Sequence, residues 1–277
     1  MRPELLARWR STATRAIMEG VLPSYREFAA PPGLGPFVAC LWTSHDGEVR
    51  VLPDACVDVV FGGGRLVVAG PATTATIAPA TPGQRRVGLR FRVGAAGAAL
   101  GVSAAELLDL GLPLTELWGR AGQRLEDRVA AAPTTEARIA VLARGVADRL
   151  PPPEAADREV RRAAAVLTYG GRAGDARRAA HLSERQLRRR FDQAVGYGPA
   201  TLARVQRFQR FLAQAQRTPA VPLARLAADA GYADQAHLAR ECRRLAGLAP
   251  TALLAAGATP AGERPEALAP AATPAAA

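Results

Sequence analysis

Apolar positions change their rhythm twice along the chain. From Phe37 to about Phe91 they fall in short β-branched or aromatic runs, "FVACLW", "VRVLP", "VDVVFGGG", "RLVVAG" and "RRVGLRF", each bounded by Gly, Pro or Asp. Such runs between turn residues predict strands. The Gly62–Gly64 triplet precedes a strand and not a helix, so it predicts a hairpin turn and not a phosphate cradle. From Ala95 to Leu150 the pattern turns helical. "SAAELLDL" sets Ser103 and Glu106 in capping-box spacing, and "TTEARIAVLARGVADRL" lines Ile139, Leu142, Val146 and Leu150 on one face. Three prolines, Pro151–Pro153, then end the helix and begin a stiff spacer. From Ala156 to about Ala255 everything reads helical, and the Ala/Pro tail after Gly257 lacks the apolar bulk to pack.

The predicted fold is α+β. Residues 21–150 form a small β-rich domain with a helical hairpin, and 151–156 a Pro-rich linker. Residues 157–256 form an all-α domain of two helix-turn-helix units joined by a long helix. Residues 257–277 are expected to be a disordered tail and residues 1–20 a dispensable extension, with Met18 a candidate start.

The all-α region holds an internal repeat. "HLSERQLRRRFDQAVGYGP" at 181–199 is echoed by "GYADQAHLARECRRLAGLAP" at 231–250. Ser183 matches Asp234 and Gly196 matches Gly247 at one offset (234−183 and 247−196 both give 51). Upstream, His181 matches Gly231 at 50, so the second turn has one more residue. In each copy a short Ala-rich helix leads through a tight turn to a second helix. That helix is capped by Ser183 with Gln186 in the first copy, and by Asp234 alone in the second. Leu187 and Phe191, or Leu238 and Cys242, face inward. The outward faces carry Glu184, Arg185, Arg188 and Arg189, or Gln235, Ala236, His237, Arg240 and Arg243. A polar, Arg-rich second helix is the signature of a DNA-reading unit. Arg, Gln and His reach base edges, and further Arg holds phosphate. Arg185, Arg188, Gln235 and His237 lie near the groove-entering ends; Arg189, Arg190 and Arg243 lie toward the flanks. "TLARVQRFQRFLAQAQRT" between the copies reads as one helix with Leu202, Val205, Phe208 and Leu212 on a stripe. Such a helix suits adjacent major-groove faces about 34 Å apart.

Charge agrees with that assignment. The chain of 277 residues has 36 Lys+Arg, all arginine, against 25 Asp+Glu, a formal charge of +11, and a pI near 11.0. A basic domain attracts polyanions, above all double-stranded DNA. Three scattered cysteines, Cys40, Cys56 and Cys242, make neither a disulfide framework nor a zinc ribbon and suit a reducing cytoplasm. No apolar run of 18 residues exists, so no membrane partner is expected. No P-loop, nucleophile elbow or carboxylate pair beside a histidine is present, so neither catalytic residues nor a cofactor is expected.

The two copies, the helix between them and both Gly-x-x-Pro endings resemble the double helix-turn-helix domain of AraC/XylS-family transcriptional regulators over about residues 157–255. The resemblance departs from the family pattern at His181, where the first turn usually has Gly, and at Leu238 and Cys242, where aromatics are usual. "REFAAPPGLGPFVACLWT", "VLPDACVDVVF", "VAGPAT" and "VGLRFRVGAAGAALG" resemble an uncharacterised domain found ahead of some members. The resemblance implies a bacterial, cytoplasmic transcription factor. It also implies a small-molecule effector or a homodimer through the N-terminal domain, and RNA polymerase as partner if the protein activates. Trp42, Asp54, Asp58, Arg90 and Arg92 are the candidate effector lining, a structural ion pair being the alternative for Asp58 with Arg90. Cys40, His45 and Cys56 have no standard metal spacing, and core or surface cysteines are the simpler assignment. Two other functions stay open. One is a cysteine-based repair or other enzyme carrying a DNA-binding module, which would need a thiol of depressed pKa. The other is an architectural binder that senses nothing.

Overall fold

A computed structural model describes residues 25–44, 49–78 and 85–256. The expected extension, tail, Met18 and His45 lie outside these residues. The N-terminal half is built on a six-stranded antiparallel sheet in the order β1-β2-β7-β4-β5-β8. These strands are β1 (Arg26–Ala29), β2 (Val38–Ser44), β4 (Asp58–Gly62), β5 (Arg65–Ala69), β7 (Arg86–Phe91) and β8 (Gly111–Pro113). A separate ribbon pairs β3 (Val49–Val51) with β6 (Thr76–Ala78). The glycine triplet forms the predicted hairpin. Gly62 pairs with Arg65, and Gly63 and Gly64 take φ of 59° and 78°, the doubly positive turn that matches strand twist.

Alternation divides the sheet into two unlike faces. One carries Phe28, Leu41, Leu89, Val87, Val59, Phe61, Leu66 and Val68, all buried. Against it pack α1 (Ala96–Leu100), α2 (Leu114–Trp118), and the hairpin α3 (Arg120–Ala131) and α4 (Thr135–Ala147), through Trp118, Leu125, Val129, Ile139, Leu142 and Val146. The "SAAELLDL" segment has its capping box, but closes a single 3-10 turn, Ala104–Leu107, and not a longer helix. The opposite face carries two cross-strand rows, Glu27–Trp42–Gly88–Val60 and Ala29–Cys40–Arg90–Asp58.

The C-terminal half is all-helical. Asp157 caps α5 (Arg158–Thr168), followed by α6 (Ala173–Ala180), α7 (Glu184–Val195), α8 (Pro199–Arg217), α9 (Leu223–Ala230), α10 (Gln235–Ala246) and α11 (Pro250–Ala255). The repeat is realised element for element. The first helices of the two copies start 50 residues apart (223−173) and the second helices 51 apart (235−184). Leu202, Val205, Phe208 and Leu212 of α8 are buried between the copies with Leu187, Phe191, Leu238 and Cys242. Among the described residues no helix is long and apolar enough to cross a membrane.

His181 ends α6 in the left-handed region, φ 54°, where Gly231 ends α9 at φ 89°. A side chain there is held against its intrinsic preference at a cost of about 1–2 kcal/mol. His181→Gly should therefore raise stability by about 1 kcal/mol, the glycine's extra unfolded-state entropy offsetting part of the relief. Chemical denaturation checks it: a midpoint that stays put or falls would show that His181 carries a compensating contact.

Candidate nucleic-acid interface

Each second helix is set by local chemistry. Ser183 accepts from the Gln186 amide at 3.3 Å, and the Gln186 side chain takes the Ser183 amide at 3.0 Å. Asp234 alone accepts from the His237 amide at 2.6 Å. Gly196 and Gly247 close the two helices at φ of 92° and 72°. Leu187, Phe191 and Val195, or Leu238, Cys242 and Leu245, bury the inward stripe. Glu184, Arg185, Arg188 and Arg189 on α7 and Gln235, Ala236, Arg240 and Arg243 on α10 are left exposed. The ion pair of Arg204 on α8 with Glu241 on α10, at 3.1 Å, ties the second unit to the helix that begins where the first ends.

Several polar residues of the two units also make contacts within the protein. Ser183 Oγ, Gln186 Oε1 and Asp234 Oδ1 cap the helices. The His237 ring accepts from the Ala233 amide at 3.4 Å and stands edge-on to Tyr232, so it braces the turn. Arg190 is engaged within the protein. Its guanidinium pairs with Asp157 at 2.6 Å and Glu159 at 3.2 Å at the start of α5, where it fastens α7.

The polar face of the N-terminal sheet gathers most of the expected effector residues. Asp58 takes a forked pair from Arg90, Nε to Oδ1 at 3.1 Å and Nη2 to Oδ2 at 3.0 Å, and accepts from the Trp42 indole at 3.1 Å. Arg90 also reaches Glu27 at 3.3 Å and Asp54 at 3.4 Å. Burial alone would lower the Arg90 guanidinium, but Asp58 and Asp54 offset it and hold it above its ordinary value. Trp42, Asp54, Asp58 and Arg90 thus close on one another. Arg92 does not join them; it donates to the Gly35 carbonyl at 2.6 Å, because β7 ends at Phe91 and the chain turns away. A cleft of about 580 Å³ lies instead on the far side of the domain, lined by Trp118, Arg124, Arg128 and Arg149 of the helical hairpin region. Burial pushes the thiols of Cys40 and Cys56 up, the opposite of an activated nucleophile. Among the described residues no cluster of His, Cys, Asp and Glu could hold a metal.

Sequence inspection missed the contacts between the halves. Gln206 and Gln209, buried on α8, donate to the carbonyls of Asp54 at 3.4 Å and Pro53 at 2.6 Å. The signal was two polar residues three apart beside an apolar helix stripe. Leu52 and Ala55 of the same loop join the C-terminal core. Arg50 donates to the Ala246 carbonyl at 3.1 Å, and Ser103 to that of Gln193 at 3.4 Å.

Two capped helices with exposed basic faces, each behind a short helix and a left-handed turn, define a double helix-turn-helix DNA-binding domain. Residues 177–256 match the family model described as a helix-turn-helix domain, and residues 26–113 match one described as a domain of unknown function. The chain carries an AraC-type DNA-binding domain behind that N-terminal domain, and it is a DNA-binding transcription regulator. A solved structure of apo ToxT from Vibrio cholerae, in a single-substitution form, is similar at 10% identity over 85% of this chain and 93% of that one, with a TM-score of 0.37. No curated protein matches the sequence.

Proposed function

We propose that the protein is a sequence-specific regulator that reads two adjacent major-groove faces of duplex DNA, α7 entering one and α10 the other. The matched pair of 12-residue helices, with like caps and exposed polar faces, carries this proposal. They flank a 19-residue α8, about 28 Å long at 1.5 Å per residue. Arg185, Arg188 and Gln235 are the base readers, since Arg makes a bidentate contact to guanine and Gln to adenine. Arg189, Arg240 and Arg243 hold phosphate. Regulation enters through the N-terminal domain, by a small molecule, a homodimer contact or both. The Arg90 cluster is the sensing element, because Asp54 belongs both to it and to the loop on α8. The protein acts in the cytoplasm, with RNA polymerase as partner where it activates.

Selection of bound duplexes from a randomised pool tests the assignment. Arg185→Ala or Gln235→Ala should relax preference at a few adjacent base pairs, each at about 1–3 kcal/mol of discrimination. Arg243→Ala should weaken all sites alike and reduce the salt slope by roughly one. Uniform loss from Arg185→Ala with no shift in preference would remove it from the readers.

A further inference from the structure

The contacts between the halves fall in a pattern that the DNA-binding domain alone does not explain. They touch the C-terminal ends of both recognition helices and the buried side of α8, and leave the exposed Arg and Gln faces clear. One short segment reaches both helix ends. Pro71 packs on Gly196, the glycine that closes α7, so tightly that a Cβ there would lie 2.7 Å from the proline Cγ. Four residues on, the Ala75 amide donates to the Leu245 carbonyl in the last turn of α10 at 2.7 Å. Four Cα steps span at most about 14 Å, so this segment limits how far apart the two helix ends can stand.

The segment is itself pinned. Thr73 donates its amide to one oxygen of the Asp109 carboxylate and its hydroxyl to the other, both at 2.6 Å. The Asp109 amide in turn donates to the Pro71 carbonyl at 3.0 Å. Asp109 holds a left-handed φ of 56°, a conformation that costs a non-glycine residue energy and persists where the surroundings demand it. Beside it, Gly70 admits no side chain, since a Cβ would overlap the Leu107 carbonyl oxygen at 1.7 Å.

We infer that residues Pro71–Ala75, locked by Asp109, are a strut by which the N-terminal domain sets the separation of the two recognition helices, and that the docked form is the DNA-reading form. Thr73 and Asp109 are positioning residues; they act through Gly196 and Leu245 and touch no DNA. The inference rests on the two-helix reading above and adds a mechanical part to it. Docking of this kind fixes spacing in advance, so the two helices meet the duplex without a search for their relative placement.

The test uses the full chain and a duplex selected by the wild-type protein from a randomised pool. It is compared with versions carrying insertions of up to about 5 base pairs, half a helical turn, between the two protected halves. Wild type should lose affinity steeply with insertion. Asp109→Ala should bind the parent duplex about tenfold more weakly, as the second contact loses its effective concentration, and should discriminate spacing much less. Asp109→Asn, which tolerates the left-handed backbone and keeps one acceptor oxygen, should restore most of both. Thr73→Val, which loses only the hydroxyl bond, should fall between if Asp109→Ala fails to fold. Variants that keep wild-type spacing discrimination overturn the strut, and variants that bind the parent duplex more tightly show instead that docking inhibits. A wild-type protein indifferent to spacing overturns the two-helix reading and the strut with it.

Discussion

Arg90→Met should destabilise the protein by about 3–5 kcal/mol, the usual cost of removing one partner from a buried charge network. Asp58 and Glu27 are buried or nearly so, and this guanidinium faces both, beside the neutral Trp42 indole on Asp58 and the Tyr25 hydroxyl on Glu27. The second Glu27 oxygen already has no partner, so the cluster has no spare donor to release. Arg90→Lys should recover only part of the loss, because an ammonium cannot reproduce the fork that spans both Asp58 oxygens. Combining Arg90→Met with Asp58→Asn should recover more, since the largest unpaired charge is then gone. Urea unfolding of the four proteins of that cycle gives the coupling directly. A loss under about 1 kcal/mol for Arg90→Met would mean that water replaces the guanidinium and that the cluster is not a dry network. The change should also loosen the Pro53–Asp54 loop, because Asp54 holds the Cys56 amide at 2.8 Å and an Arg90 nitrogen while its carbonyl meets Gln206.

What was legible in the sequence was local. The capping boxes, the glycine hairpin and the 50- and 51-residue offsets concern residues within a few positions of one another, and all are found where the sequence places them. Strands β1, β6 and β8 were not, because "REFA", "TIA" and "GLP" lack even the apolar-polar alternation of "VRV" in β3 and are held by their partners. Arg190 shows the same limit on a helix. The wheel places it near the exposed arginines, but its partner Asp157 lies 33 residues earlier and no periodicity points there. Arg92 shares the parity of Arg90, but the strand ends at Phe91, one residue too soon to carry it onto the same face. The strut was invisible for a further reason. "GPATTA" has neither strand nor helix rhythm, and its role comes from two helix ends that tertiary structure brings to it.

The repeat supplies its own control for that docking. Gly196 and Gly247 are equivalent, both left-handed and both closing a recognition helix. Alanine at either position should cost about 1–2 kcal/mol for the backbone alone. Their surroundings differ. A Cβ at Gly247 finds only an Arg50 nitrogen at 3.9 Å, ordinary contact with the end of a flexible side chain. A Cβ at Gly196 meets Pro71 Cγ at 2.7 Å and the Ala104 carbonyl oxygen at 2.9 Å, and neither can move without moving the N-terminal domain. Gly196→Ala should therefore cost a further 1–3 kcal/mol or so, as overpacking does, partly relieved by separation of the domains. Hydrogen exchange should then rise at the Ala75 amide, which donates to Leu245, in Gly196→Ala and not in Gly247→Ala. Equal losses from the two substitutions, with unchanged exchange at Ala75, would show that the first helix-turn-helix unit is not held by the N-terminal domain. The larger loss at Gly196 would show that duplication gave two like units and that docking has since made them unequal.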